Sequence, residues 1–476
     1  MKLHTYSRPS LGRRWSVRIA ITAGVFVLFA LGAGASARGA GARGPHSIIF
    51  DPAAEPSWTQ ELHGPGDSSD AAMDVAMARG GVTYVAGYVG NTAGDADASL
   101  TKLVDGVPAW PAPKTYDSPY HGFDMALKMA LGPGNTIYTA GPSVGANGMA
   151  DILVLKWSAS GAVQWARRYD GPAHGIDSAD AVGVDSAGNV TIAGYSLGAT
   201  STDWVVMSWS AAGAKRWAWR YDGAAHGHDE PGDLLVAADG SVYVTGMTAA
   251  VSVVQSLTVR FSKAGVLLWK KAYAGPESAG AETHAGAARH GGGVFVCGSS
   301  ESAATARDGL VLAYTPAGGR DVFAADTGPG GATSQKFLDL AVTSTGHVVA
   351  VGSSTIGPNE DCHFATYTKD GAIAGQITLH GPSGNDLLTA VATDAYGGFY
   401  VTGRYFTQPN KTAVFTARGS VVAAGGGWSS LWAPVFVSED NDSSAIAVRG
   451  MTACVVGRCN EGAAGDDDQL VLGYVY

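Results

Sequence analysis

Along most of the chain, apolar residues alternate with small or polar ones in short runs, and each run closes on a glycine. The runs are VTYVAG at Gly87, TIYTAG at Gly141, VTIAG at Gly194, VYVTG at Gly246, VFVCG at Gly298, VVAVG at Gly352, FYVTG at Gly403 and ACVVG at Gly457. Alternation with a period of two is the signature of a β-strand with one face buried. The eight glycines are spaced 51 to 54 residues apart, which marks an internal repeat.

Each copy holds four extended pieces. In the third, residues 181–185 alternate, Ala187-Gly188-Asn189 reads as a hairpin turn, and 190–193 form the second strand. Asp203 opens a third strand at 204–209, Ala212-Gly213 turns the chain, and 216–221 make a fourth. Glycines recur at the first hairpin (Gly80, Gly134, Gly188, Gly240, Gly293, Gly346, Gly397) and at the second (Gly106, Gly161, Gly213, Gly265, Gly318, Gly371, Gly419). Tight hairpins need positive φ, which glycine adopts at no steric cost. No ten-residue helical pattern interrupts the series.

Four antiparallel strands at this period specify the blade of a β-propeller, so the fold predicted is all-β, a single eight-bladed ring. The eighth copy stops after its third strand at 469–475. Residues 58–64, WTQELHG, match the end of a fourth strand at 165–171, so the N-terminal strand is expected to complete the last blade and close the ring. Trp110, Trp165, Trp217 and Trp269 recur on the fourth strands and are expected to pack between blades.

The N-terminus reads differently. Lys2, Arg8, Arg13, Arg14 and Arg18 precede an uncharged run from 19 to 37 that ends in Ala-Ser-Ala. Basic start, apolar centre and small-residue site describe a secretory signal or an N-terminal membrane anchor, followed by a linker at 38–56 and the propeller at 57–476. The expected setting is extracellular or the cell surface, with membrane contact only through that first segment. Beyond it the chain carries 26 Lys and Arg against 41 Asp and Glu, a net charge of −15. Such a surface repels nucleic acid and anionic lipid. The four cysteines, Cys297, Cys362, Cys454 and Cys459, permit two disulfides in three pairings, but Cys454 and Cys459 lie on one strand and face opposite sides. Buried thiols are the expectation.

Two copies, ADILVLKWSASGAVQWARRYDG at 150–171 and TDWVVMSWSAAGAKRWAWRYDG at 202–223, resemble the bacterial SBBP-type β-propeller repeat. The resemblance implies an extracytoplasmic propeller and no particular reaction. The G-x-x-x-W spacing at Gly106–Trp110, Gly161–Trp165, Gly213–Trp217 and Gly265–Trp269 is also similar to quinoprotein propellers, whose adjacent cysteine pair is missing here.

Candidate site residues lie between blades. Three consecutive connections read His121-Gly-Phe-Asp124, His174-Gly-Ile-Asp177 and His226-Gly-His-Asp229. Each joins the outer strand of one blade to the inner strand of the next, on the face that also carries the loops between second and third strands. Imidazole and carboxylate there suit a polar ligand or a divalent cation, although Asp in a repeated loop also accepts backbone N–H bonds. No cofactor is expected. No Gly-x-Ser-x-Gly elbow, His-Glu-x-x-His, P-loop or dinucleotide fingerprint occurs. The function expected is a non-catalytic, monomeric scaffold that binds a protein or glycan through this face. The alternative is an exported propeller enzyme: a lyase, a glycosidase or a quinone-dependent dehydrogenase.

Overall fold

The computed structural model describes residues 48–49 and 56–475, apart from short interruptions at 66–68, 289–290, 303–306, 322–324, 327–333, 382–383, 409–410, 422–427, 433–434, 437–440 and 461–466. The expected signal or anchor lies outside the described residues, as does most of the linker. The rest forms eight antiparallel sheets, each starting at an inner strand and ending at an outer one, and only two short 3₁₀ turns interrupt them among the described residues. Blade 3 is representative: Asp177–Val184, Val190–Leu197, Thr202–Trp209 and Lys215–Tyr221, paired in that order. The architecture is an eight-bladed β-propeller.

The ring closes as the sequence predicts. Trp58–Leu62 pairs antiparallel with Asp467–Val475, from Trp58 opposite Gly473 to Leu62 opposite Gln469, and supplies the outer strand of blade 8. A feature not predicted lies just before it: Ile48–Ile49 pairs in parallel with Leu431 and Trp432 on the outer strand of blade 7.

A flat blade cannot bury both its faces, and the packing shows how stacking solves this. Eight hydrophobic clusters occur among the described residues, and each is built from two neighbouring blades. The cluster between blades 8 and 1 joins Leu62, Cys454, Val456 and Val471 to Ala72, Val75, Val85 and Leu103. All four cysteines are buried and none forms a disulfide. Cys454 packs toward blade 1 and Cys459 toward blade 7, as their spacing requires.

The eight repeat glycines have a stricter purpose than ending a strand. The second strands run on past them, in blade 3 to Leu197. The inner strand carries a β-bulge opposite the glycine, and in seven blades the ladder shifts register there, for example between Ala179 and Ala181. The bulge presses a carbonyl onto the glycine Cα. A Cβ at Gly87, Gly141, Gly194, Gly246, Gly298, Gly352, Gly403 or Gly457 would fall deep inside contact with the oxygen of Ala71, Met125, Ser178, Glu230, Glu282, Lys336, Leu387 or Asp442 respectively. The inner strand therefore also begins earlier than its alternation suggests, at Asp177 rather than residue 181.

The hairpin glycines adopt φ between 70° and 91°, with one exception. Gly419 is not at a turn: it sits within the long third strand Lys411–Val421, opposite Phe399 and Leu431, where a Cβ would strike the Phe399 ring.

The G-x-x-x-W motif explains itself at the rim. On five blades an indole at the outer edge lies over the second-hairpin glycine of the next blade: Trp58 over Gly106, Trp110 over Gly161, Trp165 over Gly213, Trp217 over Gly265 and Trp269 over Gly318. Trp165 and Trp269 also donate their indole N–H to Ala211 and Pro316 of that next hairpin, at 3.2 and 3.0 Å. The tryptophans pack between blades, and Trp58 adds a side-chain lock to the closing strand.

Candidate binding face

Connections between blades and loops between second and third strands meet on one face. Asn147 in such a loop donates to the carbonyl of His174 at 2.8 Å, and Thr200 donates to that of His226 at 2.9 Å. Asp124, Asp177 and Asp229 are completely buried at the start of their inner strands. Each accepts the backbone N–H six residues earlier: Ser118 at 2.6 Å, Gly171 at 2.6 Å and Gly223 at 2.5 Å. Their other oxygens accept from the second strand of the same blade, from Ser143 in blade 2, Leu197 in blade 3, and Thr248 and Ala249 in blade 4. Asp70 and Asp386 repeat the arrangement in blades 1 and 7. Burial pushes the carboxyls of Asp124 and Asp177 above the usual carboxylate range, opposed by these hydrogen bonds.

His121, His174 and His226 stand at the tips of these loops with φ near 50°, and their side chains are 69 to 75% exposed. Each donates from Nδ1 to the aspartate four residues earlier: Asp117 at 2.8 Å, Asp170 at 2.7 Å and Asp222 at 2.6 Å. This hydrogen bond raises the pKa of all three histidines. The structure thus pairs each histidine within its own loop. Among the described residues, two groups of potential metal ligands come together instead, and both are made of aspartates alone. Asp151, Asp170 and Asp177 place oxygens within 4.8 Å of one another, as do Asp203, Asp222 and Asp229.

An arginine stands in each group. Arg168 pairs with Asp151 at 3.2 Å and Arg220 with Asp203 at 2.8 Å, and both also donate to backbone carbonyls of the neighbouring second strand. Sequence reasoning placed Asp203 at the opening of a third strand and missed the arginine partners of Asp151 and Asp203. The signal was present, since RRYDG and WRYDG place arginine two residues before the exposed aspartate in both copies. At the ends of blades 6 and 8 the exposed aspartate is replaced by histidine, and His380–Asp361 and His63–Asp468 pair at 2.8 and 2.7 Å.

A second charged region lies on the inner strands around the axis, and sequence reasoning did not single it out. Asp74, Asp233 and Asp339 each follow the bulge and accept a backbone N–H from the next blade: Met129, Gly286 and Val391, at 2.8 to 2.9 Å. Lys128 holds the matching position in blade 2, and its charge acts on these three and on Asp180. Burial and, for Asp180, the Glu230 carboxylate push Asp180 and Asp339 up to about 7.

No protein-family model matches the sequence, and no curated protein matches it. Solved structures share its fold. Sqt1 from Saccharomyces cerevisiae aligns with a TM-score of 0.55 at 10% identity over 89% of this chain and 99% of that one. Chaetomium thermophilum Sqt1 bound to the N-terminus of the ribosomal protein L10 gives 0.52 at 11% identity, covering 87% and 98%. The polysaccharide lyase Uly1 gives 0.42 at 10% identity, covering 90% and 93%. The two Sqt1 likenesses concern the fold alone.

Proposed function

We propose that this protein is an exported, non-catalytic propeller of the SBBP-like kind that holds a protein or glycan partner on the loop face of blades 1 to 4. One observation carries the reading. The buried carboxylates Asp124, Asp177 and Asp229 are engaged as acceptors that fix the loops, while the outward positions repeat a histidine–aspartate pair beside an exposed apolar residue, Phe123 or Ile176. A rigid scaffold with an adaptable polar and apolar surface suits recognition. The test is retention of protein and glycan ligands by the full chain and by a Phe123→Ala, Ile176→Ala variant. Loss of retention by the variant supports the reading. Turnover of a polysaccharide that disappears in Asp170→Asn or Asp222→Asn would replace it with the enzyme alternative.

A further inference from the structure

The partner's class can be narrowed, resting on the reading just given. The face of blades 1 to 4 exposes large apolar side chains that a monomer has no reason to gather: Tyr120 (47%), Phe123 (36%), Met149 (46%) and Ile176 (52%). They come from the connections 1/2 and 2/3 and the loop of blade 2 that bonds to His174. Apart from the loop histidines, the surrounding charge has one sign. Asp117, Asp170, Asp222 and Glu230 are each about 40% exposed. In blades 1 to 4 these loops and connections contain no lysine or arginine among the described residues, and Arg168 and Arg220 at the strand ends are spent on Asp151 and Asp203. The opposite face differs, because its hairpins mix Arg79, Lys263 and Lys369 with Asp105, Asp239 and Asp370.

We infer that this face docks a cationic polypeptide segment in which lysine or arginine residues are interspersed with apolar ones. Successive junctions offer the same pairing of an exposed aspartate with an outward side chain, Asp117 with Phe123 and Asp170 with Ile176. An extended segment crossing two junctions therefore meets alternating acidic and apolar contacts, and an anionic polymer is repelled throughout.

The probe is a fluorescent peptide of alternating lysine and leucine, titrated into the full chain, with a glutamate–leucine peptide and a neutral oligosaccharide as comparisons. The triple variant Asp117→Asn, Asp170→Asn, Asp222→Asn keeps an acceptor for each histidine. It should weaken binding roughly tenfold or more, and added salt should weaken wild-type binding. The charge-matched variant Asp105→Asn, Asp239→Asn, Asp370→Asn on the other face should change it by less than about twofold. Should the first triple fail to fold, Phe123→Ser with Ile176→Ser gives the same reading through the apolar contacts. Equal loss in both triples, or equal binding of the glutamate peptide, overturns the inference. Oligosaccharide binding that Ile176→Ser abolishes, with no binding of the lysine peptide, also overturns it but leaves the partner-face reading standing.

Discussion

The rim of the ring from blade 8 through blade 4 differs from the rim of blades 5 to 7. On the first arc every outer strand lays a tryptophan on the next hairpin glycine, ending with Trp269 on Gly318. On the second the pattern lapses in blades 5 and 6. Four residues after the second-hairpin glycine, where the first arc has tryptophan, blade 5 has Val322 and blade 6 has Gly375, the latter with no side chain to offer. Yet both arcs keep the inner glycine opposite the bulge, and both bury a full cluster at every junction, with Phe364 and Phe399 packed between blades 6 and 7. The inner strands thus set the blade number. The outer-strand tryptophans are a local reinforcement that the first arc carries throughout and that blades 5 and 6 do without.

Four experiments probe this comparison. A chain beginning at Pro65 loses the outer strand of blade 8 and the first tryptophan of the arc, so it should lose on the order of 5 kcal/mol and self-associate through the bared edge of Asp467–Val475. Thermal melts and sedimentation decide this, and an unchanged melting temperature in a monomer would refute the closure argument. Next, Gly194→Ala and Gly403→Ala, one from each arc, should each cost roughly 3 kcal/mol or more in denaturant unfolding. Gly134→Ala, strained at φ 70° but with open space around it, should cost roughly 1 kcal/mol. A large gap between the two inner glycines would contradict a common inner ring.

Third, Trp165→Ala should cost about 3 kcal/mol, whereas Ile373→Ala on the exposed outer strand of blade 6 should stay within about 0.5 kcal/mol. The last effect depends on pH and concerns Asp180 on the inner strand of blade 3, whose carboxyl is raised from 3.8 to about 7 by burial and by Glu230. The folded chain holds that proton longer than the unfolded chain. The stability it lends is complete below pH 3.8 and is lost as pH rises through 7. Asp180→Asn should therefore gain on wild type as pH rises and hold a constant advantage above about pH 8. A gap that narrows with pH would show the sign to be wrong.

The blade count, the closing strand and the inter-blade tryptophans were legible because each is a pattern with a fixed period. The inner bulge was not, since a bulge leaves no residue type of its own in the inner strand. Its trace is the glycine across the ladder, which alternation alone misread as a strand end. Gly419 misled for a related reason: its repeat position matched a turn, but the strands of blade 7 are longer than those of the other blades. At the candidate face, the aspartates beside inner strands were readable as hydrogen-bond acceptors. The separation of the histidines into three local pairs was not, because it depends on how far apart equivalent points on neighbouring blades stand. The axial carboxylates were missed because only some blades carry one, although Asp74, Lys128, Asp233 and Asp339 all lie thirteen residues before their repeat glycine.

The closing strand also bears on how such a ring is made. The His63–Asp468 hydrogen bond joins positions 405 residues apart, so the segment that seals blade 8 leaves the ribosome long before its partner strand exists. During synthesis it has blade 1 to pack on but no strand partner, and every blade between must order while the circle is open. Assembly then ends in one late, long-range zippering event. Chains stalled before that point would be the species that chaperones and proteases see.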